Sequence, residues 1–214
     1  MPTVFLVDDD ASLQVALKRL LGARGYCCLT FDSAEAFLSR HTPAMPGCVL
    51  LDVNMPGLDG LALQRKLLEL GRTLPIVFLT GHGDIPMTVR ALKAGAVDFL
   101  TKPVSAATLF PAVDAALALD ARVRLAAADG HLLQQRVASL TPREREVLQG
   151  LAAGRLNKQI AAELGIVEQT VKFHRSRIME RMQARTVAEL MYLVARLDID
   201  VEGKAVARPP VSGP

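Results

Sequence analysis

Short apolar runs recur through the first half of the chain, at residues 3–7, 26–31, 47–52, 75–79 and 97–100. Runs of this length suit strands and are too short for helices that must bury one face. Between them, at 11–23, 33–40, 59–70, 86–94 and 106–120, apolar residues recur at helical spacing. Five alternating strand and helix patterns predict an α/β fold, a doubly wound five-stranded parallel sheet with helices on both faces and right-handed crossovers. The nearly unbroken apolar character of the strands predicts burial on both sides.

Polar residues close these runs. The first ends in Asp8, Asp9 and Asp10, the third in Asp52, the fourth at Thr80, and the fifth is followed by Lys102-Pro103. In open α/β sheets ligands bind just beyond the carboxyl ends of the strands. Carboxylates, a hydroxyl and an ammonium gathered there can hold a divalent cation and a phosphoryl group. Magnesium takes hard oxygen ligands, usually one or two carboxylates completed by water and phosphate oxygens. Asp8, Asp9 and Asp52 side by side repel one another unless a cation joins them. Asn54, two residues beyond Asp52, offers its backbone carbonyl as a further ligand. Thr80 can hydrogen-bond a phosphoryl oxygen and Lys102 can balance its charge. Taken singly, each residue suits any solvated strand end; together and in this order they point to a phosphorylation-switched domain. The Gly81-His82-Gly83-Asp84 segment fails as a dinucleotide fingerprint, because Pro86 stands where the third glycine is needed. It reads as a mobile switch loop with His82 solvated.

The pattern changes near residue 121. Residues 121–138 are rich in Ala, Arg, Leu and Gln, and Leu119, Val123 and Ala126 keep helical spacing, so the last helix can run on as a helical linker; Gly130 is a point to stop or bend it. Beyond it only helical patterns occur. Thr141-Pro142-Arg143-Glu144 is a helix start with a Thr cap, Pro at the first position and Glu at the third. Asn157 can cap a second helix that Gly165 ends; a third spans about 168–182 and a fourth about 186–197. A short helix, a glycine turn and a longer basic helix form a helix-turn-helix pattern. The organisation expected is 1–120, a linker at 121–138, an all-α four-helix domain at 139–200, and a disordered tail at 201–214.

Charge supports this division. Residues 1–120 carry a balance of −2 and the remainder +5, within a net charge of +3 over 214 residues. One half that handles a metal or signal and one that binds a polyanion fit the asymmetry. No apolar stretch is long enough for a bilayer span, and Asp8, Asp9 and Asp10 interrupt any signal peptide. The three cysteines, Cys27, Cys28 and Cys48, lack metal-ligand spacing and read as small strand residues in a reducing cytoplasm. On the third helix of the second half, Val171, Ile178 and Met182 share a buried face. Gln169, Lys172, Phe173 and Ser176 lie opposite, with Thr170 and Arg177 at one edge. Gln and Lys read base edges and an exposed Phe can meet a thymine methyl. Arg177, Arg181 and Lys158 are expected at phosphates, which position a protein without specifying sequence.

Asp8-Asp9, Asp52, Thr80 and Lys102-Pro103 resemble the motif set of two-component receiver domains. Leu140-Thr141-Pro142-Arg143-Glu144-Arg145-Glu146-Val147-Leu148, Asn157-Lys158-Gln159-Ile160-Ala161 and Thr170-Val171-Lys172-Phe173-His174 resemble the LuxR-type helix-turn-helix. The whole chain is similar to response regulators of the NarL/FixJ type. That resemblance implies a flavodoxin-like receiver of strand order 2-1-3-4-5 and Asp52 as phosphoryl acceptor. It implies Mg2+ (with Mn2+ as a substitute) on Asp9, Asp52 and the Asn54 carbonyl, with Asp8 in support. It also implies Thr80 and Phe99 as a switch pair, Lys102 as charge partner, and a cis bond before Pro103. The partners it implies are double-stranded DNA, a sensor histidine kinase, RNA polymerase and a second copy on DNA or after phosphorylation, with no membrane. The protein would catalyse its own phosphorylation, and its dephosphorylation, without being a turnover enzyme. Two readings compete: a DNA-binding regulator whose receiver only docks, and an aspartate-nucleophile phosphatase. The second needs a general acid where Asn54 stands, and an amide cannot protonate a leaving group. Val167 replaces the Ser often found before the recognition helix. The missing cap costs roughly 0.5–2 kcal/mol, which Glu168 near the helix N-terminus partly offsets. Val187, Leu190, Met191, Leu193 and Val194 give the fourth helix apolar residues on more than one face, fitting either a dimer contact or two faces of core.

Overall fold

The computed structural model describes residues 2–72, 74–81 and 85–196, and the side chains among them except those of 85–88. His82, Gly83 and Asp84, and the tail expected at 201–214, lie outside the described residues. The strands are β1 (Thr3–Val7), β2 (Cys27–Phe31), β3 (Gly47–Asp52), β4 (Ile76–Thr80) and β5 (Asp98–Thr101). They form one five-stranded sheet in the order β2-β1-β3-β4-β5, every pair parallel. Val7 lies level with Leu51, and Asp52 with Leu79. The ends of the central strands therefore meet at one edge.

Four helices, α1 (Ala11–Ala23), α2 (Ala34–Arg40), α3 (Gly60–Glu69) and α4 (Ile85–Lys93), alternate with the strands, and α5 (Ala106–Ala138) comes after β5. Alternate strand residues face opposite sides, and the core divides accordingly. Phe5, Val7, Leu51 and Phe78 pack with Phe37, Leu63, Leu67 and Ala91 from α2, α3 and α4. Val4, Leu6, Leu50 and Val77 pack with Leu17, Leu21, Leu109 and Val113 from α1 and α5. The expectation of fully buried strands holds for β3 and β4 but fails at the sheet edges. Cys27 and Leu29 of β2 are exposed, and Asp98 and Phe99 of β5 are half-buried. An edge strand has a neighbour on one side only, so its cover is incomplete.

Helix α5 continues through Gly130 to Ala138, so Gly130 does not stop it. One glycine costs about 1 kcal/mol in a helix interior, and the Ala, Leu and Gln residues around it outweigh that. At the start of β3, buried Asp120 of α5 accepts the Gly47 N–H at 2.9 Å and both its oxygens meet Arg124 Nε. Arg124 donates onward to the carbonyls of Pro43 and Met45. No sequence pattern announced this network.

The chain divides into two compact units, Met1–Leu125 and Ala126–Pro214. The second holds α6 (Pro142–Ala152), α7 (Asn157–Leu164), α8 (Glu168–Met182) and α9 (Val187–Arg196). The Thr141–Glu144 capping box forms as the motif requires: Thr141 Oγ1 accepts the Glu144 N–H and Glu144 Oε2 accepts the Thr141 N–H at 2.8 Å. Glu144 is buried, yet those bonds and Arg181 hold its carboxyl below the ordinary range. Asn157 is not the cap of α7. Leu156 occupies that position, Gln159 Oε1 accepts its N–H at 2.8 Å, and the Asn157 side chain is taken by Arg175. Gly165 ends α7 with φ +65°, a left-handed conformation that glycine adopts at no steric cost. Leu190 of α9 is buried, while Met191, Leu193 and Val194 pack partly against the same core. Val187 and Tyr192 stay exposed.

Candidate functional site

Each acidic residue at the sheet edge is held there by local structure. Strand β1 ends at Val7, so Asp8 and Asp9 are the first residues beyond it. Asp10 is the N-cap of α1; its Oδ1 accepts the N–H groups of Ser12 and Leu13 at 2.8 and 3.1 Å. The sequence carried this signal, an Asp directly before an amphipathic run, but Asp10 reads there only as part of the acidic group. Asp52 closes β3. Behind it the chain turns back so that Gly60, the first residue of α3, donates to the Val53 carbonyl at 3.0 Å. A Cβ on Gly60 would lie 2.2 Å from the Asp52 carbonyl oxygen. Only glycine lets α3 begin so close to the end of β3.

Asp8, Asp9 and Asp52 offer carboxylate oxygens that all lie within 4.8 Å of one another. Asp8 and Asp52 are buried, and Asp9 faces solvent. Lys102 reaches between the buried pair, its Nζ 2.7 Å from Asp8 Oδ2 and 2.9 Å from Asp52 Oδ2. Burial pushes the Asp8 carboxyl above its ordinary pKa, with Lys102 and the Asp10 N–H acting against that. For Lys102 burial disfavours the charge, but the two carboxylates outweigh it and raise its pKa. Apart from Lys102 at 2.7 Å, the buried Asp8 Oδ2 has no partner among the described residues. A buried carboxylate oxygen with unused acceptor capacity, beside two more carboxylates, fits a hard divalent cation. Asn54 turns its N–H to Asp52 Oδ1 at 3.2 Å.

Thr80, fully buried, ends β4, and its carbonyl accepts the Lys102 N–H at 2.7 Å. Phe99 on β5 is level with Phe78, their ring centroids 6.0 Å apart. A period of two puts Thr80, Phe78 and Phe99 on one face of the sheet. The peptide bond between Lys102 and Pro103 is cis.

On α8 the buried residues are Val171, Ile178 and Met182. Gln169, Lys172, Phe173, Ser176 and Arg177 are exposed, and Thr170 is half-buried at their edge. Phe173 stands out at 57% exposure, with the Arg177 guanidinium 5.6 Å from its ring centre. Lys172 lies 3.5 Å from Glu168 one turn back, and Lys158 on α7 is exposed. Val167 caps α8 without a side-chain hydrogen bond. Arg181 departs from the group. Its guanidinium donates to the Ser139 carbonyl at 2.7 Å and lies 3.4 Å from the buried carboxylate of Glu144. These contacts tie Arg181 to its own unit.

An acidic pocket at the end of a parallel sheet and an exposed basic helix thus occur in one chain. Residues 4–114 match the response regulator receiver domain family, and residues 138–194 match the luxR family of bacterial regulatory proteins. The chain is a response regulator. This response regulator is 44% identical over 196 residues to Nodulation protein W of Bradyrhizobium diazoefficiens, across 92% of this chain and 86% of that one. It is 43% identical to the response regulator protein TodT of Pseudomonas putida, across 93% and 88%. Among solved structures, response regulator StyR superposes with a TM-score of 0.83 at 48% identity, over 91% of this chain and 98% of that one. The response regulator's receiver and luxR-type DNA-binding regions fall in the two compact units. Among the described residues no helix is long and apolar enough to cross a membrane.

Proposed function

We propose that Asp52 accepts a phosphoryl group from a phosphohistidine on a sensor kinase, and that this controls sequence-specific DNA binding by α8. In the transfer a carboxylate oxygen of Asp52 attacks phosphorus as the phosphorus–nitrogen bond breaks. The electron pair leaves with the imidazole, and an acyl phosphate remains on Asp52. Lys102 lies against Asp52 and balances charge on the transferring oxygens. Asp9, Asp52 and the Asn54 carbonyl, with Asp8 in support, would hold Mg2+ or Mn2+. A bound cation supplies charge neutralisation at the phosphoryl oxygens. The observation that carries the reading is the 2.7 and 2.9 Å bridge of Lys102 between two buried aspartates at the strand ends.

Thr80 would follow the phosphoryl group and Phe99 would follow Thr80, repacking the face of α4 and β5. Such a ligand shifts the balance only by its differential affinity for the two states. Residues 1–120 would act as receiver, 121–138 as linker and 139–200 as DNA-binding domain, with RNA polymerase and a second copy as further partners on DNA. Gln169, Lys172, Phe173 and Ser176 would face base edges, and Thr170, Arg177 and Lys158 the backbone beside them. Arg181, still partly exposed beside its contacts with Ser139 and Glu144, would meet the phosphate backbone as well.

Incubation with acetyl phosphate and Mg2+ should add one phosphoryl mass, and Asp52→Asn should abolish it while unfolding remains cooperative. Labelling of Asp52→Asn at the parental level would remove the assignment. Absence of labelling in the parent would favour a receiver that only docks.

A further inference from the structure

Helix α8 ends at Met182, and Gln183 beyond it has φ +55°, the one non-glycine residue with positive φ among the described residues. A left-handed residue commonly closes a helix, but glycine is the usual choice because a side chain makes that conformation costly. The last carbonyls of a helix also need partners from outside it. Both needs are met from α5. Arg136 Nη1 donates to the Met182 carbonyl at 3.3 Å and Nη2 donates to Gln183 Oε1. Its positive charge sits at the end of α8 where the helix dipole is negative. A reciprocal bridge runs the other way, from Arg181 to the Ser139 carbonyl directly after α5. Leu133, one turn before Arg136, is buried in the same core as Val171 and Ile178.

We infer that Arg136 is a positioning residue for DNA recognition: it caps α8 from outside the helix-turn-helix and fixes the helix that carries Lys172 and Phe173. The DNA-reading element therefore includes the last turns of α5, earlier in the chain than the helix-turn-helix motif. Arg136 itself touches no DNA. The inference rests on the reading of α8 as the DNA-reading helix.

The test uses the full-length protein with a duplex that it selects from a random pool, beside a scrambled duplex. Arg136→Ala should weaken the selected duplex about tenfold, equivalent to about 1.4 kcal/mol, and the scrambled one by no more than about twofold. The slope of log affinity against log salt should stay unchanged, because no phosphate contact is lost. Gln183→Gly in the Arg136→Ala background should recover much of the loss, since glycine holds the left-handed turn unaided. If Arg136→Ala does not fold, Arg136→Lys carries the same comparison, keeping the charge without the two-oxygen fork. Equal losses on both duplexes, a flattened salt slope, or no loss at all would each overturn the inference. Lys172→Ala separates the two levels. If it loses the selected duplex while Arg136→Ala does not, the reading of α8 stands and the capping role fails; if it loses nothing, both fail.

Discussion

Gly60→Ala tests whether the acceptor site depends on the close approach of two backbones. The new Cβ would stand 2.2 Å from the Asp52 carbonyl oxygen and 3.1 Å from the Asp52 carbonyl carbon and Val53 Cα. Both neighbours are backbone, so no side chain can swing aside. To reach the 3.4 Å of ordinary contact, the start of α3 and the end of β3 must part by about 1 Å in a close-packed interior. Overpacking of this kind costs roughly 1–3 kcal/mol, and a reacting group misplaced by about 1 Å can slow a reaction up to about 100-fold. The receiver should therefore melt at a lower temperature, by about 4 °C for each kcal/mol, and Asp52 should be phosphorylated at least about tenfold more slowly. Differential scanning calorimetry and the rate of labelling by acetyl phosphate with Mg2+ measure the two effects. A variant with parental melting temperature and parental labelling rate would refute the reasoning.

Asp10→Ala removes the acceptor for two α1 N–H groups and should lower receiver stability by roughly 0.5–2 kcal/mol in urea unfolding, with labelling of Asp52 retained. His41 should make stability depend on pH. Its ring is buried against Phe5 and Phe37, and burial, Arg72 and Arg124 hold its pKa below the ordinary 6.5, against the Met45 backbone and Asp120. The unfolded chain then binds a proton that the folded one refuses, so this stability is complete above pH 6.5 and declines below it until the depressed pKa is reached. The slope for one proton is about 1.4 kcal/mol per pH unit, and His41→Phe should flatten urea midpoints measured between pH 7.5 and 5.5 if His41 is their source. On DNA, Lys172→Ala should cost roughly 1–3 kcal/mol on the selected duplex, whereas Arg177→Ala should weaken all duplexes alike and reduce the salt slope by about 1. Equal behaviour of the two variants would mean that α8 is turned the wrong way.

The parts of this molecule legible in the sequence are those fixed by periodicity and by punctuation. Short apolar runs closed by Asp8, Asp52, Thr80 and Lys102 identified the sheet edge, because parallel strands of matched length must bring their ends together. The Thr141–Glu144 box was legible for the same reason: both halves of the interaction lie within one turn. What could not be read depends on distant partners. Asp120 and Arg124 look like surface residues of an exposed helix until the start of β3 and the loop before it fold against them. Asn157 resembles a cap by residue type, yet Arg175, 18 residues on, takes its side chain and leaves the cap to the backbone of Leu156. Nothing around Arg181 on its basic helix announces the contact with the buried carboxylate of Glu144, which comes from another helix.

The cysteines give this chain a built-in chemical reporter. Cys27 is exposed on β2, while Cys28 and Cys48 are buried, their thiols pushed up to about 11 and about 12 by burial. Thiolate is the reactive form, so a maleimide should label the native protein once, at the sheet edge, without any engineered site. Unfolding of the sheet releases two more thiols, and the sequence from Val49 onward contains none. Counting labelled thiols along a denaturant series therefore follows the first unit alone, while helical ellipticity reports on both.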